Sequence, residues 1–262
     1  MKSDPKTQTS HPILPWLVAI LLIGGGLYLW WTQSGIEQPV DRLIGFDQYH
    51  YGIVPQEFDY DATGPHGPVL TAGRPYWRVF VDVFAPSAQF VLVQASGLAE
   101  ADHYPIALLK DVEVKNVTLS VYLKPMGGEM DKSAGLLWRV QDKDNYYAAL
   151  ASALDDRLHL LKMVAGRPTE LAAVPIDIDV EFERSELSPT RGWYLLEVED
   201  EGTRITVRFQ GQQVVEISDN TFAQAGRVGV ITHADSIASF DNFHVQVGQL
   251  IPTVTSPPAP SN

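Results

Sequence analysis

The chain has 262 residues, 45% apolar and 10% aromatic, enough for one sizeable domain and too apolar for wholesale disorder. Its 32 acidic and 19 basic residues leave a formal net charge of -13, which repels phosphate backbones and anionic headgroups and argues against nucleic acid as a partner. With no cysteine, disulfides, thiolate metal sites and cysteine nucleophiles are excluded, and stability has to come from packing.

Residues 13–31 contain no charged side chain and supply about the 20 apolar residues that a helix needs to cross a hydrocarbon core. Trp16 stands at one end and Trp30 and Trp31 at the other, where an apolar ring carrying one N–H donor favours the headgroup interface. The segment is therefore expected to be a transmembrane anchor. Residues 1–12 carry Lys2 and Lys6 against Asp4, so the positive-inside bias puts them in the cytoplasm and the rest of the chain outside it. A cleaved signal peptide is the competing reading. Thr32-Gln33-Ser34-Gly35 lacks a small-x-small cleavage site, and the apolar run exceeds the usual ~7–15 residues, so an uncleaved anchor is preferred.

Residues 32–45 are polar and irregular and are expected to be a linker. Residues 249–262 are rich in Pro, Ser and Thr, with too little apolar surface to offset the entropy of ordering, and are expected to be a disordered tail. Between them, residues 46–248, the hydrophobic period is two. Val117, Leu119, Val121 and Leu123 alternate with Thr118, Ser120, Tyr122 and Lys124; Leu136, Trp138 and Val140 alternate with Leu137, Arg139 and Gln141; Ile205, Val207 and Phe209 alternate with Arg204, Thr206 and Arg208. Turn residues at 142–145, 154–157, 165–168, 199–202 and 210–212 separate these runs at hairpin spacing. No 3.6-residue amphipathic stretch follows residue 32. The expected fold is an all-β antiparallel sandwich preceded by one transmembrane helix.

Three stretches, 134–172, 192–219 and 226–245, resemble a group of bacterial exported domains of laminin-G-like type with the concanavalin A-like jelly roll. Gly73, Trp77 and residues 85–96 extend the resemblance upstream. In it the matched positions read as scaffold: Trp193 opens a strand, Gly211 fits a tight hairpin, and Gly226 and Gly229 fit bends where a side chain would clash. The resemblance implies a carbohydrate-binding role, with a related branch assigned to hydrolysis of modified disaccharides.

Candidate chemistry is sparse. Asp177, Asp179, Glu181 and Glu183 alternate and would project carboxylates from one strand face, similar to the paired acids of retaining β-glucanases, which stand about 5–5.5 Å apart. Exposed carboxylates are far commoner than catalytic pairs, so a solvated acidic edge is read first and the hydrolase second. Asp142, Asp144 and Asn145 offer too few oxygens for Ca²⁺ and fit a hairpin turn. Asn116-Val117-Thr118 matches a glycosylation sequon, read as incidental because the resemblance is to bacterial domains and Thr118 falls inside an expected strand.

A sugar site needs aromatic rings and hydrogen-bonding groups on one exposed sheet face. Arg139, one of Tyr146 and Tyr147, and His159 are placed on such a face by alternation. His233 and Asp235 stand together near a strand end, where imidazole and carboxylate can do acid–base work if a substrate converges on them. No cofactor and no metal is assigned. The expected function is a membrane-tethered, non-catalytic binding module on the outer side of a bacterial cytoplasmic membrane, periplasmic or extracellular. Its expected ligand is a glycan; a hydrolase and a structural subunit partnered by an envelope protein are the alternatives.

Overall fold

A computed structural model describes residues 40–64, 70–71, 74–178 and 192–247. The expected transmembrane segment with Trp16, Trp30 and Trp31, the acids Asp179, Glu181 and Glu183, and the expected tail lie outside the described residues, as does Gly73. Among the described residues there is no helix, hence none long and apolar enough to cross a membrane.

In chain order the strands are β1 (Val40–Ile44), β2 (Phe58–Thr63), β3 (Leu70–Thr71), β4 (Arg74–Pro75), β5 (Trp77–Val81), β6 (Phe90–Gln94), β7 (Tyr104–Val114) and β8 (Val117–Gly127). They continue as β9 (Ser133–Asp142), β10 (Asn145–Ser152), β11 (Arg157–Val164), β12 (Arg167–Pro175), β13 (Tyr194–Glu201), β14 (Arg204–Phe209), β15 (Gln212–Ser218), β16 (Gly226–Thr232) and β17 (Ile237–Val247). One sheet runs β15-β14-β13-β8-β17-β6-β5, with β1 also on β17. The other runs β12-β11-β10-β9-β16-β7-β2. All pairings within them are antiparallel. The chain passes between the two sheets at β1–β2, β6–β7, β7–β8, β8–β9, β12–β13, β15–β16 and β16–β17, as a two-sheet sandwich requires. Because Val40–Ile44 pairs with Phe243–Val247, the sandwich takes in part of the expected linker.

Local chemistry explains the hairpins. Ala165-Gly166 and Gln210-Gly211 each have two consecutive residues at positive φ (49° and 72°; 51° and 76°), the backbone twist that two-residue hairpins need. Gly211 thus stands where the resemblance puts it, and Trp193 immediately precedes β13. Gly226 and Gly229 lie within β16. A Cβ on Gly226 would come 2.5 Å from the Arg139 carbonyl carbon, and one on Gly229 would come 2.1 Å from the Ala107 oxygen.

Val117, Leu119, Val121 and Leu123 all point into the sandwich and are buried, each contributing roughly 1.5–3 kcal/mol of burial free energy. β9 departs from simple alternation. Leu136 and Trp138 face the interior as expected, but Arg139 has φ 50° and the pairing register shifts on both sides of it. The bulge turns Arg139 inward beside Trp138 and sends Val140 to the outer face, into a second apolar cluster with Leu137, Tyr146, Ala148 and Leu150.

Candidate functional site

The outer face of the seven-stranded sheet carries a cleft of about 410 Å³ near one end of its strands. Tyr104, Leu150 and Leu161 form its apolar base, and Met130, Leu154 and Pro168 complete the apolar part of the wall. The polar wall consists of Asp131, Ser133, Ser152, Asp155, His159, Glu170 and His233. Six strand ends or neighbouring turns contribute. His233 follows β16, Tyr104 opens β7, Ser133 opens β9, Ser152 closes β10, His159 lies in β11 and Glu170 in β12.

Two imidazoles organise the wall. The ring of His233 stacks on Tyr104 with centroids 4.3 Å apart. Its Nε2 meets the Ala101 carbonyl oxygen at 2.8 Å and its Nδ1 meets Asp131 Oδ2 at 2.6 Å. A carbonyl and a carboxylate both only accept, so both ring nitrogens carry hydrogen and the pair is imidazolium–carboxylate. The titration directions agree. Burial opposes both charges, yet the bonds to Asp131 and Ala101 hold His233 above the ordinary imidazole value. The bonds from His233, Ser133 and the Lys132 amide outweigh burial and hold Asp131 below the carboxylate range. Burial, aided by the charges of Asp131 and Asp102, pushes the Tyr104 phenol up to about 12.

His159 stands between two carboxylates, with Nδ1 2.9 Å from Glu170 Oε2 and Nε2 2.9 Å from Asp155 Oδ2. The Ala165-Gly166 turn sets the register in which Glu170 pairs with Leu161, and from there Glu170 reaches His159 diagonally; the bulge between Leu160 and Leu161 follows it.

Asp235 serves the cleft from behind. Its carboxylate accepts the backbone N–H groups of Glu129 (2.7 Å), Met130 (3.0 Å) and Asp131 (3.0 Å), and these bonds outweigh burial and hold its pKa down. They fix the β8–β9 loop that carries Asp131. The loop turns at Gly128, φ 133°, where a Cβ would fall 1.8 Å from the Asp131 oxygen.

Of the residues singled out from sequence, His159 and His233 therefore meet in the cleft and Asp235 positions its loop. The others stand apart. Tyr146 faces the same side of the sheet but is fully buried, its hydroxyl 2.7 Å from Thr63 Oγ1. Tyr147 faces the interior, where its hydroxyl donates to Asp219. Arg139 is not on a solvated face: the bulge buries it, and its guanidinium donates to Asp200 (2.8 Å), the Phe222 carbonyl (2.6 Å) and the Gly202 carbonyl (3.0 Å). Asp142 accepts from the Asp144 amide and the Asn145 side chain, the hydrogen bonds of a hairpin turn. Sequence reasoning missed Tyr104, Asp131, Asp155 and Glu170. The clue for Glu170 was the Ala165-Gly166 turn, which sets the register that pairs it with Leu161, diagonal to His159 on the same face.

No family model and no curated protein matches the chain. Among solved structures it is similar to the carbohydrate-binding module CBM66 from Bacillus subtilis, at 19% identity and a TM-score of 0.49 over 64% of this chain and 91% of that one. It is similar to the carbohydrate recognition domain of Emp47p at 12% identity and 0.49, over 79% and 94%. A Bacillus subtilis protein of unknown function with a galectin-like fold follows at 9% and 0.48, over 79% and 98%. Likeness at this level assigns neither a family nor a ligand.

Proposed function

We propose that the chain is a membrane-tethered, extracytoplasmic glycan-binding module without catalysis, and that the cleft on the outer face of the seven-stranded sheet is its binding site. The observation that carries this is the cleft's composition. An apolar base at Tyr104, Leu150 and Leu161 suits the C–H faces of a sugar, and the surrounding carboxylates and hydroxyls suit its hydroxyl groups. A binding role fits better than turnover because both nitrogens of His233 already face groups that only accept, leaving that ring no free lone pair to abstract a proton. The tether rests on the uncharged segment 13–31 and the charge asymmetry around it. The finer affiliation with laminin-G-like exported domains rests on the motifs quoted above.

Thermal unfolding of the full chain in nanodiscs against a glycan panel tests the proposal, because a ligand selective for the native state raises the melting temperature. One glycan class should raise it, and Leu154→Ala with Glu170→Ala, both changes at exposed positions, should remove the rise. A flat panel, or a rise that survives both substitutions, overturns the assignment.

A structural-subunit reading has one observation in its favour. Tyr51, Ile53, Val81, Val83 and Phe84 are all exposed along the β5 edge, joined by the Gly52–Val79 and Val79–Ile53 backbone bonds. It predicts a co-purifying protein that sugar does not displace.

A further inference from the structure

The cleft has an uneven chemistry that bears on which sugars it accepts. Its ring nitrogens are engaged internally: those of His233 with Asp131 and Ala101, those of His159 with Asp155 and Glu170. The Ser133 hydroxyl donates to Asp131 at 2.9 Å, and that of Ser152 does so at 3.2 Å. What remains towards solvent is acceptor capacity, chiefly on Asp155 and Glu170, whose side chains are 46% and 57% exposed.

Charge points the same way. Asp131 and His233 compensate each other. Asp155 and Glu170 share the single imidazole of His159, so at least one negative charge stays uncompensated at neutral pH whichever state that ring takes. No lysine or arginine lines the cleft among the described residues.

From these two features, and resting on the glycan-binding assignment above, we infer that the cleft selects saccharides bearing a free, protonated amino group and rejects those bearing carboxylates. An ammonium beside Asp155 and Glu170 supplies both the missing donors and the missing positive charge, while the pyranose rings cover Leu150, Leu161 and Tyr104. An N-acetyl group on the same sugar removes the charge. A uronate brings like charge against a wall already negative.

The test is titration calorimetry of the full chain in nanodiscs at pH 6 against four probes of equal length: a glucosamine hexamer, its fully N-acetylated counterpart, a galacturonic acid hexamer and hexalysine. The glucosamine hexamer should bind at least tenfold more tightly than the acetylated form and hexalysine, with no heat from the uronate. Asp155→Asn with Glu170→Gln should abolish the preference, whereas Glu197→Gln with Glu216→Gln, an equal change of charge on the other sheet, should leave it intact. Equal affinity for amine and acetylated sugar, or any uronate binding, overturns the inference while leaving glycan binding in place. Equal affinity for hexalysine, or a preference lost equally in both double variants, shows attraction by charge alone and overturns it too. No binding of any saccharide removes the glycan-binding assignment and this inference together.

Discussion

Arg139 and Asp200 meet at 2.8 Å across the two sheets of the sandwich, each with a side chain only 1% exposed. Trp138, the residue before Arg139, donates its indole N–H to the other oxygen of the same carboxylate at 3.0 Å. Two successive residues of one strand therefore converge on one acid of the opposite sheet, which only the bulge in β9 allows. Asp200→Ala leaves a guanidinium buried without its counter-charge and is expected to destabilise by about 3–5 kcal/mol. Urea unfolding followed by tryptophan fluorescence measures this. Arg139→Met combined with Asp200→Leu should recover only part of the loss, because the apolar pair removes the unpaired charge but leaves the Trp138 indole N–H and the Gly202 amide without their acceptor.

The His233–Asp131 pair should make stability depend on pH. A raised imidazole pKa contributes stability that is complete below the unfolded value and is lost as pH rises through the folded one. A lowered carboxylate pKa contributes stability that is complete above its unfolded value and is lost as pH falls through the folded one. The two overlap between the ordinary carboxylate and imidazole values, roughly pH 4 to 6.5. The melting temperature of His233→Gln should therefore fall furthest below that of the parent near pH 5–6, with the gap narrowing by pH 9. A gap that is flat from pH 5 to 9 would show that the pair is not ionised.

Asp235→Asn keeps the shape of the side chain but replaces a carboxylate that accepts three amides with a group whose NH₂ must face one of them. Hydrogen bonds to a charged group contribute about 1.5–3 kcal/mol, so a loss in that range is expected. Hydrogen exchange should localise it to the amides of Glu129, Met130 and Asp131, leaving those of β13–β15 protected as before.

Gly226→Ala brings a methyl group against the backbone at Arg139 and Val140, which has no rotamer through which to yield. The expected cost is about 3 kcal/mol, at the upper end of overpacking effects. Gly97→Ala, where the added carbon meets nothing within 4 Å, is the control and should leave the melting temperature within about a degree.

The strands and their turns were legible in the sequence because burial on one face writes a period of two, as in Val117–Leu123 and Ile205–Phe209, and because a tight hairpin needs residues that tolerate positive φ. Arg139 was misplaced for a physical reason. One extra residue in a strand reverses the facing of everything beyond it, and nothing in Leu136–Val140 marks the insertion. The glycine that accommodates it, Gly226, lies 87 positions further on. The cleft was half legible. His159 and His233 stand out as rare titratable residues near strand ends, whereas Asp131 and Glu170 are ordinary surface acids in one dimension. Only the β11–β12 register and the loop held by Asp235 bring them to the histidines.

The outermost strand of the seven-stranded sheet, β12, runs mostly exposed along its length. An open strand edge is a template on which a second molecule can pair, and the usual outcome is a growing fibre. Here Pro168 and Pro175 lack the N–H that an incoming strand would need, and Arg167 and Glu170 place charges of both signs along the rim. The edge that borders the cleft is thus poorly suited to self-association, so copies held close together should stay separate, with their clefts open to whatever passes.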